Sequence, residues 1–398
     1  MLEWLIVGGG VHGTYYSHYL TGCAEVPREK IRVLDPAPEP LTRWYDCCSN
    51  TGMSFMRSPD VHHLDIDPLA LRLHCFATTK EPYRSFLEPY SRPSFALFRA
   101  HTTEVIERHR LREFRLQGRA TGLRFRTGYT TVDTTSGNIA AKRVLLAIGA
   151  SEQPHWPAWA RQLRERGAPI NHVFGPAFKL EHLHRWQNAL VLGGGITAAQ
   201  TALALAKRAP GTVTLLMRHS LRIETFDADP CWIGSRCLNG FERKDYPQRR
   251  RMIADARNRG SVPSEIAVEL FQAIENGLLT LLCGDVAAAE LTATTQVKLM
   301  IETFGGSKDP LTTDQVVLAT GFETSRPGGA WLSNAIEELE LPCSDCGYPI
   351  LDKTLCWHSG LYVSGPLAEL EIGPVARNIV GARLAARRFR EVSKSERR

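Results

Sequence analysis

Four residues near the start of the chain have the types and spacing needed to hold an adenine dinucleotide. Gly8, Gly10 and Gly13 form a G-x-G-x-x-G pattern in LIVGGGVHG, and Asp35 stands 22 residues after the last of them. Glycines at this spacing allow a tight turn and let backbone N–H groups approach a pyrophosphate at a helix N-terminus. A carboxylate at the place of Asp35 can accept hydrogen bonds from the ribose hydroxyls of an adenosine. The combination predicts a first dinucleotide site.

The chain repeats this pattern once. Gly193, Gly195 and Ala198 give G-x-G-x-x-A in LVLGGGITAA, and the residue 20 positions beyond Ala198 is Arg218 rather than an acid. Arg222 follows closely. Because a 2′-phosphate needs a guanidinium where a 2′-hydroxyl needs a carboxylate, the pattern favours NADPH over NADH. The alternative is that both arginines only coat the end of a strand.

Alternating strands and helices must position both sites, which predicts an α/β fold with two Rossmann-like units. The runs LEWLIV and IRVLD are expected strands on either side of a helix, VHGTYYSHYLTG, and NALVL and TVTLLMR flank the second turn in the same way. Residues 36–110 are expected to be irregular, whereas 111–148 read as an antiparallel meander. A polar insert after TVTLLMR leads to a helix, SEIAVELFQAIENG.

Composition narrows the class of protein. The 398 residues are 43% apolar and 23% charged, which is typical of a globular protein. The net charge of +6 is scattered apart from ARRFREVSKSERR at the end, so nucleic-acid binding is not expected. The first apolar run leads straight into the glycine turn and ALVLGGGITAAQTALALA reads as strand–turn–helix, so we expect a cytoplasmic protein without a membrane span.

Cysteine usage points to reduced thiols and to no metal site. The chain has ten cysteines, and a single C-x-x-C, Cys343 and Cys346, has no second pair nearby to complete a zinc site. In the polar insert, the run Arg249–Arg251 is expected to be a solvated helix face, with contact to a 2′-phosphate or an acidic substrate as the alternative.

Four kinds of landmark (the first glycine turn, the second glycine turn, the A-x-G strands and a final strand–loop–helix) resemble those of the flavoproteins in which an NADPH domain is inserted into a split FAD domain. Besides the two glycine turns, the chain has two strands that end in A-x-G, LLAIGA and VLATGF, and a final strand–loop–helix, YVSGPLAELEIGPVARNI. The element beginning at Asp314 and ending in LATGF is similar to one found in N-hydroxylating flavin monooxygenases, the lysine and ornithine hydroxylase group. Phe322 replaces the tyrosine of that element. The resemblance implies an FAD domain at 1–152, an NADPH domain at 153–313 and a second FAD part at 314–398.

The resemblance also implies roles for individual residues. The first glycine turn and Asp35 would hold FAD, with Gly321 at a domain crossing. Gly365, Gly373 and Pro374 would lie near the flavin. Arg57, His62 and His63, in FMRSPDVHHLDIDP, are the side chains most suspected of lying at the reacting face.

The implied activity is a monooxygenase that uses FAD, NADPH and dioxygen to oxygenate an amine nitrogen or another soft nucleophile of a small molecule through a C4a-(hydro)peroxyflavin. Two alternatives remain open: a reductase that passes electrons to a quinone, disulfide or protein, and a non-catalytic binder that retains the fold. The oligomeric state is not predicted.

Overall fold

The computed structural model describes residues 1–183 and 185–395. Two mainly parallel sheets carry helices against their faces. The strands are β1 Leu2–Val7, β2 Ile31–Asp35, β3 Phe86–Leu87, β4 Arg92–Pro93, β5 Arg115–Gln117, β6 Ala120–Arg126, β7 Tyr129–Thr134, β8 Gly137–Leu146, β9 Ile170–His172, β10 Ala189–Leu192, β11 Val213–Met217, β12 Arg222–Ile223, β13 Ser261–Val262, β14 Leu279–Leu291, β15 Val297–Thr303, β16 Lys308–Thr313, β17 Gln315–Leu318, β18 Cys356–His358 and β19 Leu361–Val363. The helices are α1 Val11–Gly22, α2 Thr42–Thr51, α3 Ala70–Thr78, α4 Phe95–Arg108, α5 Ala158–Glu165, α6 Ile196–Arg208, α7 Ser235–Glu242, α8 Tyr246–Ala256, α9 Ser264–Glu275, α10 Gly329–Glu338, α11 Glu369–Ile372 and α12 Ile379–Ser395.

The first sheet is built around the strand that enters the first glycine turn. Its order is β18-β19-β8-β1-β2-β5, and β6, β7 and β8 form the predicted antiparallel meander. Strand β1 lies parallel to both β2 and β8 and is apolar along its buried half, as a strand covered on both faces must be. The C-terminal strand β19 joins this sheet beside β8, so the two ends of the chain share one sheet.

The second sheet has the order β16-β15-β14-β11-β10-β17-β9. Strand β10, which enters the second glycine turn, lies parallel to β11 and β17. Because β17 pairs with β10, the second sheet extends to Leu318. The second sheet is formed by a part of the chain that lies between β8 and β18, two strands of the first sheet. This arrangement confirms the predicted α/β fold with two Rossmann-like units.

The chain crosses between the sheets at two segments that lie side by side. Residues 147–155 follow β8 and residues 319–323 follow β17, and they meet in an antiparallel bridge between Pro154 and Phe322. Backbone hydrogen bonds join Glu323 N to Gln153 O at 2.8 Å and His155 N to Gly321 O at 2.9 Å. Gly321 has φ +78°, a conformation that glycine adopts without steric cost.

Residues 36–110 are not irregular, contrary to the expectation from sequence. They contain α2, α3 and α4, of which α4 begins at the N-cap Ser94, whose side chain accepts a hydrogen bond from Leu97 N. The inner face of α4 buries Leu97, Phe98, His101, Thr102, Val105 and Ile106. Two of these six, His101 and Thr102, are polar. They interrupt the apolar period that would otherwise have indicated a helix in the sequence.

Residues 224–260, the insert between β12 and β13, fold against residues 362–379. The latter are the final segment of the first unit, which is the part of the chain built around the first sheet. Helices α7 and α8 lie in the insert, and Trp232, Phe241 and Ile253 pack with Leu370 and Val375 in one apolar cluster. Cys231 and Cys237 form a disulfide in this insert, which corrects the expectation that all cysteines are reduced thiols. The first lies in a 3₁₀ turn and the second in the first turn of α7, with Cα atoms 5.4 Å apart.

No helix in the described part of the chain is long and apolar enough to cross a membrane. The predicted strand–turn–helix at 189–206 is present as β10 and α6. The end of the basic C-terminal run, residues 396–398, lies outside the described residues.

Candidate cofactor and active site

Each glycine of the first turn meets a different structural demand. A methyl group added at Gly8, which has φ +108°, would lie 2.5 Å from the Ala147 carbonyl oxygen on the crossing segment. A methyl group at Gly13 would lie 1.8 Å from the Gly8 carbonyl oxygen, so α1 could not pack on the turn. At Gly10 the added methyl would meet no heavy atom within 4 Å. The open face at Gly10, at the N-terminus of α1, is therefore the part of the turn that can admit a pyrophosphate.

Asp35 lies beside this turn, where a ribose-binding carboxylate is expected. Its Oδ2 accepts a hydrogen bond from Gly9 N at 2.6 Å, and its Oδ1 accepts one from Ala37 N at 2.9 Å. Arg115 Nη2 lies 3.2 Å from Oδ1, and the guanidinium covers the bare Cα of Gly9. The sequence prediction missed Arg115, since its only signal is its place at the start of the strand next to β2.

The second turn repeats the packing of the first. Gly193 has φ +154°, and a methyl group there would lie 2.5 Å from the Ala319 carbonyl oxygen and 3.1 Å from the Ala198 methyl. Gly195 has only the Gly260 backbone nearby, with its Cα at 3.4 Å. Both turns thus sit under the alanine of an A-x-G crossing segment, which explains why two such segments accompany two glycine turns.

The arginines predicted to select NADPH lie on the surface at the end of β11. Arg218 directly follows that strand and Arg222 begins β12, and both are exposed. Between them, His219 covers the turn: its Nε2 is 2.5 Å from the position of a methyl group at either Gly194 or Gly260. The sequence prediction also missed this imidazole, which lies against the backbone of the second turn.

The final segment meets the first turn through His12. His12 Nδ1 and Ser364 Oγ are 2.8 Å apart, and His12 Nε2 lies 3.2 Å from the Asn378 carbonyl oxygen. Burial lowers the pKa of His12 to about 4, although the hydrogen bond to Asn378 acts in the opposite direction. Gly365, with φ +69°, lies against this ring, so the segment predicted to lie near a flavin does border the N-terminus of α1.

Gly373 and Pro374 lie where the final segment meets the insert. Gly373 has φ +85°, and a methyl group there would lie 3.4 Å from the side chains of Leu238 and Trp232. Pro374 begins a 3₁₀ turn, Pro374–Arg377, that precedes α12. The insert therefore covers this side of the final segment.

Arg57 joins the first unit to the second. Its Nη2 donates to the carbonyl oxygens of Glu224 and Phe226 at 2.8 and 3.0 Å, and to Ser261 Oγ at 2.8 Å. Its Nε donates to the Thr225 carbonyl oxygen at 3.0 Å. These contacts hold the segment that follows β12, and the role of Arg57 at a reacting face remains a prediction.

His62 and His63 lie inside the first unit against α12. His63 is fully buried; its Nε2 lies 3.1 Å from the Pro68 carbonyl oxygen and its Nδ1 accepts a hydrogen bond from Asp65 N at 3.1 Å. Burial, followed by the charge of Arg383, lowers the pKa of each histidine to about 4. Both rings are therefore neutral at pH 7, and their catalytic roles remain predictions.

We expect the buried neutral histidines to make the protein less stable in acid. In the unfolded chain a histidine binds a proton near pH 6.5, whereas His63 in the folded protein does so only near pH 4. Between these values unfolding takes up a proton, so stability falls as the pH drops through this window. Replacing His63 by asparagine should reduce the proton uptake on unfolding at pH 5 by about one. Urea unfolding at a series of pH values gives this proton uptake, from the slope of the free energy of unfolding against pH.

His182→Asn is the matched control, because the side chain of His182 is 72% exposed. We expect this variant to keep the slope of the parent protein between pH 4 and 6.5. An unchanged slope in His63→Asn would contradict the burial of a neutral ring at this position.

Three potential metal ligands come together although the sequence predicted no metal site. The ligand atoms of His18, Asp65 and His109 lie within 4.8 Å of one another. The two imidazole rings are only 4.0 Å apart between centroids and tilted by 35°, and Arg108 Nη2 lies 3.8 Å from Asp65 Oδ2. A tilted imidazole pair beside an arginine–carboxylate contact is an electrostatic cluster, and we assign it no ion.

Two of the three consecutive arginines in the insert are not solvated, which corrects the sequence prediction. Arg249 Nη1 donates to Glu371 Oε1 at 2.6 Å, and Arg250 pairs with the fully buried Glu369. Arg251 is exposed. The run therefore fastens α8 to the final segment of the first unit.

Solved structures share this arrangement. An ornithine N-hydroxylase from Kutzneria sp. 744, solved with reduced FAD, NADP⁺ and L-ornithine, superposes with a TM-score of 0.79 at 13% identity over 100% of both chains. A cadaverine monooxygenase from Erwinia amylovora bound to FAD gives 0.78 at 14% identity, covering 99% of this chain and 95% of that one. The L-lysine 6-monooxygenase of Pseudomonas syringae gives 0.75 at 18% identity over 99% of each chain. At these identities the likeness establishes the fold.

Sequence comparison establishes the family. No curated protein matches the sequence significantly. The family model described as L-lysine 6-monooxygenase/L-ornithine 5-monooxygenase matches residues 105–324, more than half of the chain. The chain belongs to the L-lysine 6-monooxygenase/L-ornithine 5-monooxygenase family.

Proposed function

We propose that this protein is an FAD- and NADPH-dependent monooxygenase that oxygenates an amine nitrogen, or another soft nucleophile, of a small molecule. The observation that carries the proposal is the pair of glycine turns, each packed under an A-x-G crossing segment, in a chain of this family. Bound FAD supplies the redox chemistry: it accepts a hydride from NADPH and activates dioxygen. A supply of NADPH favours the cytoplasm as the place of the reaction.

The residues of the first turn would bind and orient the flavin nucleotide. Gly10 leaves room for the pyrophosphate against the N-terminus of α1, and Asp35 offers carboxylate oxygens to the adenosine ribose. His12 is neutral at pH 7 and fixes the loop at Ser364 and Gly365 against α1. Through this contact the neutral His12 would hold the backbone at Ser364 and Gly365 beside the flavin without placing a charge there.

The insert would exclude water from the reacting side. Trp232 and Leu238 pack on Gly373, and Arg57 holds the backbone at residues 224–226 that leads into the insert. Exclusion of water matters in this chemistry because solvent protons promote loss of activated oxygen as hydrogen peroxide. Arg57, His62 and His63 remain the proposed polar residues nearest the reacting face.

The test is oxygen uptake by the FAD-loaded protein with NADPH and a panel of diamines, basic amino acids and thiols. We expect uptake to depend on NADPH, and one substrate to give an oxygenated product in proportion to the NADPH oxidised. Hydrogen peroxide must be measured in parallel, since uncoupled oxidase turnover also consumes oxygen.

The reductase alternative predicts the opposite pattern. Fast anaerobic turnover of NADPH with a quinone or disulfide, and no oxygenated product from any amine or thiol, would replace the monooxygenase proposal. A protein that takes up no FAD would instead favour the non-catalytic binder.

A further inference from the structure

A cavity of about 250 Å³ lies between the insert and the final segment of the first unit. Its charged lining residues are Arg250, Arg257, Arg259, Arg377 and Glu369. Four guanidinium groups therefore face one carboxylate. Buried charge of one sign is costly unless a partner of the opposite sign is present.

The carboxylate of Glu369 neutralises only part of this positive charge. The fully buried carboxylate pairs with Arg250, with Arg257 Nη2 at 3.2 Å and with Arg377 Nε at 2.7 Å. Burial opposes ionisation of Glu369, but the hydrogen bonds and charges of these arginines lower its pKa to about 2. It is therefore already ionised at neutral pH and cannot supply further negative charge.

Within residues 1–183 and 185–395, several guanidinium nitrogens have no oxygen acceptor. These are Nε and Nη2 of Arg250 and Nε of Arg257, all of which are buried. Tyr348 covers the Arg250 guanidinium, with its ring centroid 4.0 Å from Cζ, and accepts a hydrogen bond from Arg377 Nη2 at 3.0 Å. A phenol adds no negative charge, so the donors still lack an anion.

The Cys346 thiol is a further ionisable group of the lining, besides the Tyr348 phenol. Burial opposes its ionisation, but hydrogen bonds with Ser344 and Arg250 lower its pKa below the usual value. Asp227 also contributes negative charge at Arg257, and Arg259 is exposed to solvent. Even with a thiolate at Cys346 and a carboxylate at Glu369, the lining keeps more positive than negative charge.

We propose that this cavity binds the dianionic oxyanion of a small molecule, a phosphate monoester or a dicarboxylate, other than the nicotinamide coenzyme. Guanidinium groups are suited to this ligand because their paired N–H donors match two oxygens of one oxyanion. Thr324 directly follows the second crossing segment, Glu369 belongs to the final segment, and Tyr348 lies between them in the chain. Arg259 precedes Gly260, whose backbone lies beside Gly195 of the second glycine turn. The coenzyme 2′-phosphate is assigned to Arg218 and Arg222 at the end of β11, so NADP⁺ binding is measured as a separate arm of the test.

The test is calorimetric titration of the FAD-loaded full-length protein with inorganic phosphate and with malonate at constant ionic strength. Both dianions should bind saturably, whereas acetate and chloride should not. Arg259→Gln removes an exposed lining arginine and should weaken both dianions about tenfold, the effect of one charge-assisted contact. Arg251→Gln, an exposed arginine that does not line the cavity, is the matched control and should leave both affinities unchanged.

Glu369→Gln gives a second, independent measurement. Removal of the internal carboxylate should strengthen malonate binding about tenfold and make the melting temperature depend more steeply on malonate concentration. The absence of saturable dianion binding, or an equal loss in Arg251→Gln, would overturn the proposal. So would a parallel loss of NADP⁺ affinity in Arg259→Gln, because the dianion would then be the coenzyme phosphate.

Discussion

Replacing Gly10 by valine should produce a folded protein that no longer retains FAD. A side chain at this position meets no heavy atom within 4 Å of its Cβ, so the apoprotein has room for it. The same space is where a pyrophosphate must approach the backbone N–H groups at the N-terminus of α1. Loss of these contacts should weaken FAD binding at least about 100-fold, the effect of roughly two charge-assisted hydrogen bonds. Flavin content after purification and FAD titration of the apoprotein measure the effect.

The control is Gly240→Val, at a glycine of α7 that likewise has no heavy atom within 4 Å of an added Cβ. We expect this protein to remain yellow. Circular dichroism and the melting temperature of both apoproteins must stay close to those of the parent. A Gly10→Val protein that binds FAD with unchanged affinity would show that the first turn is not the flavin site.

The glycine turns were predictable because each depends on contacts that only a missing side chain permits. Gly8 and Gly193 have positive φ and approach the carbonyl oxygens of Ala147 and Ala319, and no other residue type fits. At such positions the sequence must contain glycine, so the motif can be recognised from the sequence alone. The strands that enter the turns are equally clear, since a strand covered on both faces is an uninterrupted apolar run.

The helices of residues 36–110 were not predictable in the same way. The buried face of α4 includes His101 and Thr102, and α2 begins after Leu41, which has φ +63°. Helix α4 has the N-cap Ser94 but an interrupted apolar period, and α2 lacks a common N-cap. Tertiary packing determined them, and a single sequence does not record that packing.

The site residues missed from sequence are those whose partners lie far along the chain. Arg115 reaches Asp35 across 80 positions, and His12 reaches Ser364 across 352. The arginines of α8 looked solvated because Glu369 and Glu371, which neutralise them, belong to the last segment. Motif spacing detects local demands of the backbone, whereas charge pairing over such separations becomes visible only in the fold.

Replacing both Arg218 and Arg222 by alanine should remove the preference for NADPH. The two guanidinium groups lie on the surface at the end of β11 and the start of β12, where the 2′-phosphate of a coenzyme on the second turn is expected. Each charge-assisted contact with a phosphate contributes about 1.5 to 3 kcal/mol, so the loss of two should lower kcat/KM for NADPH about 100-fold or more. The value for NADH should change little, because NADH has a hydroxyl at this position. Anaerobic stopped-flow reduction of the flavin by each coenzyme gives the comparison.

The pattern across both coenzymes distinguishes the explanations for this expected loss. An equal fall for NADPH and NADH would mean that the substitutions distort the second turn, where His219 already lies close to Gly194 and Gly260. No change for either coenzyme would mean that the arginines only coat the strand end. Arg161→Ala, at an exposed arginine of α5, controls for the loss of general positive charge from the same unit. Because long-range attraction is screened by salt but a direct contact much less so, the selective loss should persist at 0.5 M NaCl if the two guanidinium groups touch the phosphate.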